Sequence, residues 1–103
     1  MTIFRVAFRE EAVSDLATIF AYILENTGSP ASAKNHVKRL EQQCNALSLF
    51  PHRGIQRNDI RPGLRLLPIE RRSVIAYIIE VEAVRIINIF HAGQDFDTLL
   101  RNP

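Results

Sequence analysis

The chain has 103 residues, 47% hydrophobic and 23% charged, with a formal net charge of +2. That length supports one hydrophobic core rather than two, and the composition excludes a disordered chain. A lone cysteine, Cys44, excludes an internal disulfide and points to a reducing compartment, while no apolar run suggests a signal peptide or a membrane span.

Ile3 to Phe8 alternates, with Phe4, Val6 and Phe8 on one face, and reads as a short strand. From Glu10 the period changes. Ala12, Leu16, Ile19 and Ile23 recur at spacings of 4, 3 and 4, with Phe20 widening the stripe of an amphipathic helix. Glu10, Glu11 and Asp15 sit near its start, where carboxylates favour the helix dipole, and Gly28 supplies the stop. Ser29-Pro30 starts a second helix, with serine as the cap and proline in the first turn. Its stripe is Ala33, Val37, Leu40, Cys44 and Leu47, and Phe50-Pro51 ends it. The short connection makes the two helices antiparallel neighbours.

Two prolines and two glycines between residues 51 and 63 predict a loop. Leu64 to Ile69 reads as a strand, with Pro68 placing it at an edge, a bulge or a strand end. Ser73 to Val81 is apolar on both faces, as in a covered central strand: Val74, Ala76 and Ile78 on one, Ile75, Tyr77 and Ile79 on the other. Ala83 to Phe90 repeats the pattern, with Val84, Ile86 and Phe90 on one face and Ile87 and Ile89 on the other. The tight link at Val81-Glu82-Ala83 suggests a hairpin, and Asp97 to Arg101 a final helical turn. Helices grouped between strands predict an α+β fold: an N-terminal strand, a helical hairpin, then a mostly antiparallel sheet of three further strands. The hairpin covers one sheet face, burying Leu16, Ile19, Val37, Leu40, Ile75 and Ile87. Only Phe96, Leu99 and Leu100 are left for the other face, so a partner is expected to cover the rest.

Charge is unevenly spread. Residues 1–50 are balanced, whereas residues 51–73 carry six arginines (Arg53, Arg57, Arg61, Arg65, Arg71, Arg72) against Asp59 and Glu70. Arginine suits planar contacts with carboxylate or phosphate, so an acidic protein partner and a nucleic acid both fit. A solvated loop is the plain alternative for any one of them. Arg65 and Arg72 stand out, since a strand or strand end fixes their direction. His91, at a strand end, has a suitable pKa for acid–base work, or it serves to fix the Ala92-Gly93 turn. His52 reads as shaping the loop, His36 as solvated, and Tyr22 and Tyr77 as core-edge aromatics. Neither a zinc-ligand spacing nor a phosphate-binding Gly-x-x-x-x-Gly-Lys-Ser/Thr loop is present, so no cofactor is expected.

Several pieces, in their order and spacing, carry a resemblance. They are Ala12-x-x-Asp15-Leu16, Tyr22-Ile23, Pro51-His52-Arg53-Gly54, Arg61-Pro62-Gly63-Leu64-Arg65, Ile75-Ala76-Tyr77 and Ile89-Phe90-His91. From Phe4 to Leu100 the chain resembles a ParE-type toxin of the RelE/ParE toxin–antitoxin superfamily. The resemblance implies one RelE/ParE-like toxin domain over residues 1–103, in a bacterial cytoplasm. It implies neutralisation by a ParD-like antitoxin and inhibition of DNA gyrase by binding. DNA would be met only indirectly, through the antitoxin, and no membrane is involved. The residues expected to bind antitoxin or target are Arg53, Arg57, Arg61, Arg65, Arg72, Phe96 and Leu99. Two alternatives stay open: a ribosome-dependent mRNA endonuclease using Arg65, Arg72 and His91, and an inactive relative that only pairs with an antitoxin. Ala92 and Phe96 replace a glycine and a tyrosine common in such toxins. Phe96 lacks the hydroxyl that RNase relatives often carry near the chain end, and Lys34 and Lys38 are the only lysines. Both features weigh against the nuclease.

Overall fold

A computed structural model describes residues 3–101. Strand β1 (Arg5–Phe8) leads into helix α1 (Glu10–Thr27) and helix α2 (Pro30–Ala46). A 3-10 turn at Pro51–Arg53 precedes β2 (Ile55–Gln56), β3 (Leu64–Ile69), β4 (Ser73–Ile79), β5 (Ala83–His91) and a short helix α3 (Phe96–Arg101). The helix ends follow the local chemistry. Gly28 takes the left-handed conformation at φ 66° and donates its N–H to Leu24 O, closing α1. The Ser29 hydroxyl accepts from the Ser32 N–H at 3.1 Å, with Pro30 in the first turn of α2.

The five strands form one sheet in the order β1-β5-β4-β3-β2. β1 runs parallel to β5, from Arg5 opposite Ala83 to Phe8 opposite Ile86, and the other neighbours are antiparallel. The helical hairpin lies on one face. Ile19, Leu40, Cys44 and Leu47 pack there against Leu67, Ile75, Tyr77, Val84, Ile86 and Ile89, with Leu16 and Val37 at the margin.

Four expectations change. The segment 51–63 is not all loop: Ile55 and Gln56 pair with Leu66 and Arg65 and extend the sheet. β4 stops at Ile79, since Val81-Glu82 makes the hairpin tip, closed by the Glu80 N–H to Ala83 O bond at 2.7 Å. The faces of β5 exchange partway along. Ala76 stands opposite Asn88 but Tyr77 opposite Ile86, so Ile87 is an extra residue in a β-bulge. Beyond it the alternation is reversed: Ile89 joins Val84 and Ile86 under the helices, and Phe90 joins Ile87 on the far face. Ile87 is therefore buried, but not under the hairpin. Asp15 of α1 holds the bulge, accepting from the Ile89 N–H at 2.8 Å and the Asn88 amide at 3.0 Å.

The fourth change concerns the far sheet face, which does not wait for a partner. Leu64, Leu66, Ala76, Ile87 and Phe90 are buried there with Leu100 of α3, and Ile60 and Phe96 pack against them. Large exposed apolar side chains include Leu49, Phe50 and Ile55, and on α3 itself Leu99. None of the described helices is long and apolar enough to cross a membrane.

Candidate functional site

The arginine-bearing segment is built on Tyr77. This side chain is fully buried in β4, and its hydroxyl donates to Pro51 O and accepts from the Gly54 N–H, both at 2.7 Å. Burial pushes its pKa up, partly opposed by the Gly54 N–H. Gly54 has to be glycine here, because a Cβ would lie 2.6 Å from the tyrosine oxygen. Arg65, opposite Tyr77 in β3, reaches the same turn and donates one guanidinium nitrogen to Gly54 O at 2.7 Å and His52 O at 3.1 Å. It thus buckles the turn in place, and His52 takes part through its carbonyl.

Arg57 is also committed. It makes a bidentate pair with Asp59 at 2.9 and 2.8 Å and reaches Asp97 at 3.3 Å. Arg101 closes the circuit by bonding Asp97 and, at 3.2 Å, Asp59. The four side chains clamp α3 onto the loop after β2. The adjacent Arg57 guanidinium holds Asp59 down at about 2.

The remaining arginines are less engaged. Arg53 is exposed, and among the described residues its side chain hydrogen-bonds only Gln43, at 3.0 Å. It lines an open hollow of about 490 Å³ with Leu49, Phe50 and Pro51, so a cation stands beside exposed apolar surface. Arg61 lines a cleft of about 380 Å³ with Arg9, Asp15, Asn88 and Leu99, and its guanidinium has no ion pair or hydrogen bond among the described residues. Leu99 is 49% exposed at that cleft, whereas Phe96 is half-buried against Phe90, with ring centroids 6.1 Å apart. Arg72 is exposed in the turn before β4, and its carbonyl accepts the Ala92 N–H at 3.0 Å.

His91 is buried at the end of β5, and its Nδ1 lies 2.9 Å from the Ser73 hydroxyl. Its ring stands edge-on to Tyr22 at 5.3 Å and to His36 at 5.0 Å. Nε2 is buried without a hydrogen bond. Burial lowers its pKa, and nearby His36 and Arg72 push the same way. The expected role in the Ala92-Gly93 turn is carried by its backbone, whose N–H donates to the Gln94 side chain at 2.8 Å. His36 is not the solvated residue expected. It is half-buried with its own Nε2 orphaned, its Nδ1 is 3.2 Å from Arg39, and burial ahead of Arg39 lowers its pKa, against Glu70.

The candidate catalytic set does not converge. Arg72 and His91 line one hollow, but Arg65 pairs with Tyr77, four positions along β4 from the Ser73–His91 pair. At 3.4 Å per residue that is roughly 14 Å away. Sequence reasoning passed over the Tyr77 hydroxyl, Ser73 and His36. Only His36 carried a signal, since it lies three residues from Ala33 and four from Leu40, inside the apolar stripe.

A strand, a helical hairpin, a mostly antiparallel sheet and a short C-terminal helix define an α+β protein of RelE/ParE-like fold. The backbone matches the chromosomal ParDE toxin–antitoxin system of P. aeruginosa with a TM-score of 0.76, covering 87% of this chain and 97% of that one at 22% identity. A conserved hypothetical protein from Helicobacter pylori matches with a TM-score of 0.50 at 14% identity, covering 86% and 94%. These two likenesses establish the fold. In sequence, a family described as the ParE toxin of the type II toxin–antitoxin system parDE matches residues 6–96. Toxin ParE3 of Caulobacter vibrioides is 34% identical over 85 residues, covering 82% of this chain and 83% of that protein. The chain belongs to the ParE family, the toxin component of type II toxin–antitoxin systems.

Proposed function

We propose that this toxin inhibits DNA gyrase by binding it, that residues 1–103 act as one toxin domain in the cytoplasm, and that a ParD-like antitoxin neutralises it. DNA is met only through the antitoxin. The matched ParDE system and the ParE description support the partner class. The observation that favours binding over catalysis is the placement of His91. A general acid or base must reach its proton within hydrogen-bond distance. Here one ring nitrogen faces Ser73 and the other is buried, while Arg65 is spent on the Pro51–Gly54 turn. Among the arginines that keep free donors, Arg53, Arg61 and Arg72 lie beside apolar side chains, including Phe50, Leu99 and Phe96. Such mixed surfaces suit protein partners, with apolar contacts supplying affinity and charges setting register. Arg57 and Arg65 contribute by shaping that surface.

The test is controlled expression with separate readouts of DNA supercoiling and mRNA integrity. Gyrase inhibition predicts blocked supercoiling or trapped cleavage complexes, and ribosomes with purified toxin should leave mRNA intact. His91→Ala, if folded, should keep its toxicity. Ribosome-dependent cleavage that vanishes in folded His91→Ala, with gyrase untouched by the wild type, would overturn the proposal in favour of the nuclease. Antitoxin binding with both activities absent would identify an inactive relative.

A further inference from the structure

At the end of the sheet away from the Pro51–Gly54 turn, two neighbouring turns enclose a small hollow. One is the β3–β4 turn of Glu70, Arg71 and Arg72, and the other follows His91 through Ala92 and Gly93. They are joined by the Ala92 N–H to Arg72 O bond. The three non-glycine residues of positive φ among those described are Glu70 (52°), Arg71 (70°) and Ala92 (55°), all on these two turns. Side chains with a Cβ pay a steric cost in that region that glycine avoids, and such strain concentrates at functional rims.

The hollow between the turns measures about 150 Å³, room for one side chain. Val74, Phe90 and Phe96 give it an apolar lining, and Arg71 and Arg72 line its rim. Neither guanidinium has an ion pair or hydrogen bond among the described residues. The one carboxylate in the turn, Glu70, is taken by Arg39 of α2 at 3.0 Å. Two uncompensated cations therefore border an apolar socket, and at Arg71 glycine would relieve the strain but would remove the charge.

We propose that this rim is a docking point for the antitoxin, receiving an apolar side chain flanked by carboxylates. The apolar group fills the socket over Val74, Phe90 and Phe96, and the carboxylates pair with Arg71 and Arg72. Charge complementarity selects this occupant: two free guanidiniums repel a basic segment, and a purely polar one leaves the socket unfilled. The assignment rests on the reading that an antitoxin neutralises the toxin, and it adds where on this chain that partner is held.

The experiment measures binding of the full-length antitoxin translated from the reading frame adjoining the toxin's own gene. The toxin chains are wild type, Arg71→Glu/Arg72→Glu, Arg71→Gly/Arg72→Gln, and Lys34→Glu on the exposed side of α2 as a control for reversed charge. The glycine variant relieves strain at position 71, so it stays folded and isolates the charge. Both rim variants should bind about tenfold or more weakly and lose part of the salt dependence, while melting no lower than the control. Wild-type affinity in both rim variants overturns the docking point alone, since the wild-type complex itself still forms. Failure of the wild-type chain to bind overturns the antitoxin reading and this assignment together. Rim variants that bind antitoxin normally but lose toxicity would give the hollow to the target instead, and would also refute the assignment.

Discussion

The Tyr77 hydroxyl supports the Pro51–Gly54 turn from beneath, and Tyr77→Phe tests it with the least possible change in shape. The substitution removes one oxygen and leaves two buried groups, the Gly54 N–H and the Pro51 carbonyl, facing a ring edge. An unsatisfied buried donor or acceptor costs about 1–3 kcal/mol, and the phenylalanine saves the desolvation of a hydroxyl. The net loss should be about 2–4 kcal/mol. For a domain near this size each kcal/mol moves Tm by about 4–8 °C, so a fall of about 8–32 °C is expected. Urea denaturation should show a lower midpoint with the slope unchanged, because the native fold and its buried area are retained. Hydrogen exchange gives a local reading: the Gly54 amide proton should exchange slowly in the wild type and rapidly in the variant. Arg65 grips the same turn through Gly54 O, so Arg65→Ala combined with Tyr77→Phe should deviate from additivity. A variant within about 0.5 kcal/mol of wild type, with a protected Gly54 amide, would refute the account of how the arginine-bearing segment is held.

Two further outcomes follow from side chains that link elements. Asp15→Ala strands the Ile89 N–H at the β5 bulge and should cost about 1.5–3 kcal/mol by urea denaturation, whereas Asp15→Asn, which keeps an acceptor oxygen, should cost less; equal losses would mean that charge alone matters there. Burial lowers the pKa of His36 and of His91 below the ordinary 6.5, so the unfolded chain binds more protons than the folded one in that window. Their contribution is therefore complete above pH 6.5 and is lost as pH falls through the unfolded value towards the lowered folded ones. The groups facing this pair are Tyr22, Arg39, Glu70, Arg72 and Ser73. Melting between about pH 8 and about pH 5 should flatten in His36→Leu relative to wild type, and an unchanged slope would exclude the histidine pair as its source.

The helices were readable because their signals are local. Ser29-Pro30 and Gly28 act within one turn of themselves, and the stripes from Ala12 to Ile23 and from Ala33 to Leu47 need no knowledge of the rest of the chain. The faces of β5 were not readable in this way. The bulge at Ile87 is stabilised by Asp15, distant in sequence, and Asp15 viewed locally is only a carboxylate near the start of α1, suited to the dipole. Ile55 and Gln56 are a strand because Leu66 and Arg65 lie beside them, and two residues show no period. The arginine segment was visible as a concentration of charge. Its division into structural members (Arg57, Arg65) and available ones (Arg53, Arg61, Arg72) depends on Asp97, Arg101 and Tyr77, which come later in the chain. The rim arginine Arg71 was counted with the charge but not singled out, because its left-handed backbone shows only in three dimensions.

The parallel pairing of β1 with β5 has a consequence for the time at which the molecule comes into being. Arg5 meets Ala83 and Phe8 meets Ile86, so β1 has no sheet neighbour until residues 83–86 have been made. The strand that joins it is β5, placed between β1 and β4. The apolar stripes of α1 and α2 leave the ribosome well before the Ile75, Tyr77 and Ile86 surface that will cover them. Contacts this distant in sequence form late, because loop closure has to precede the gain from packing. A chain interrupted before β5 has no sheet connecting its two ends. Synthesis of β5 is therefore the step at which β1 and β4 can first be joined in one sheet.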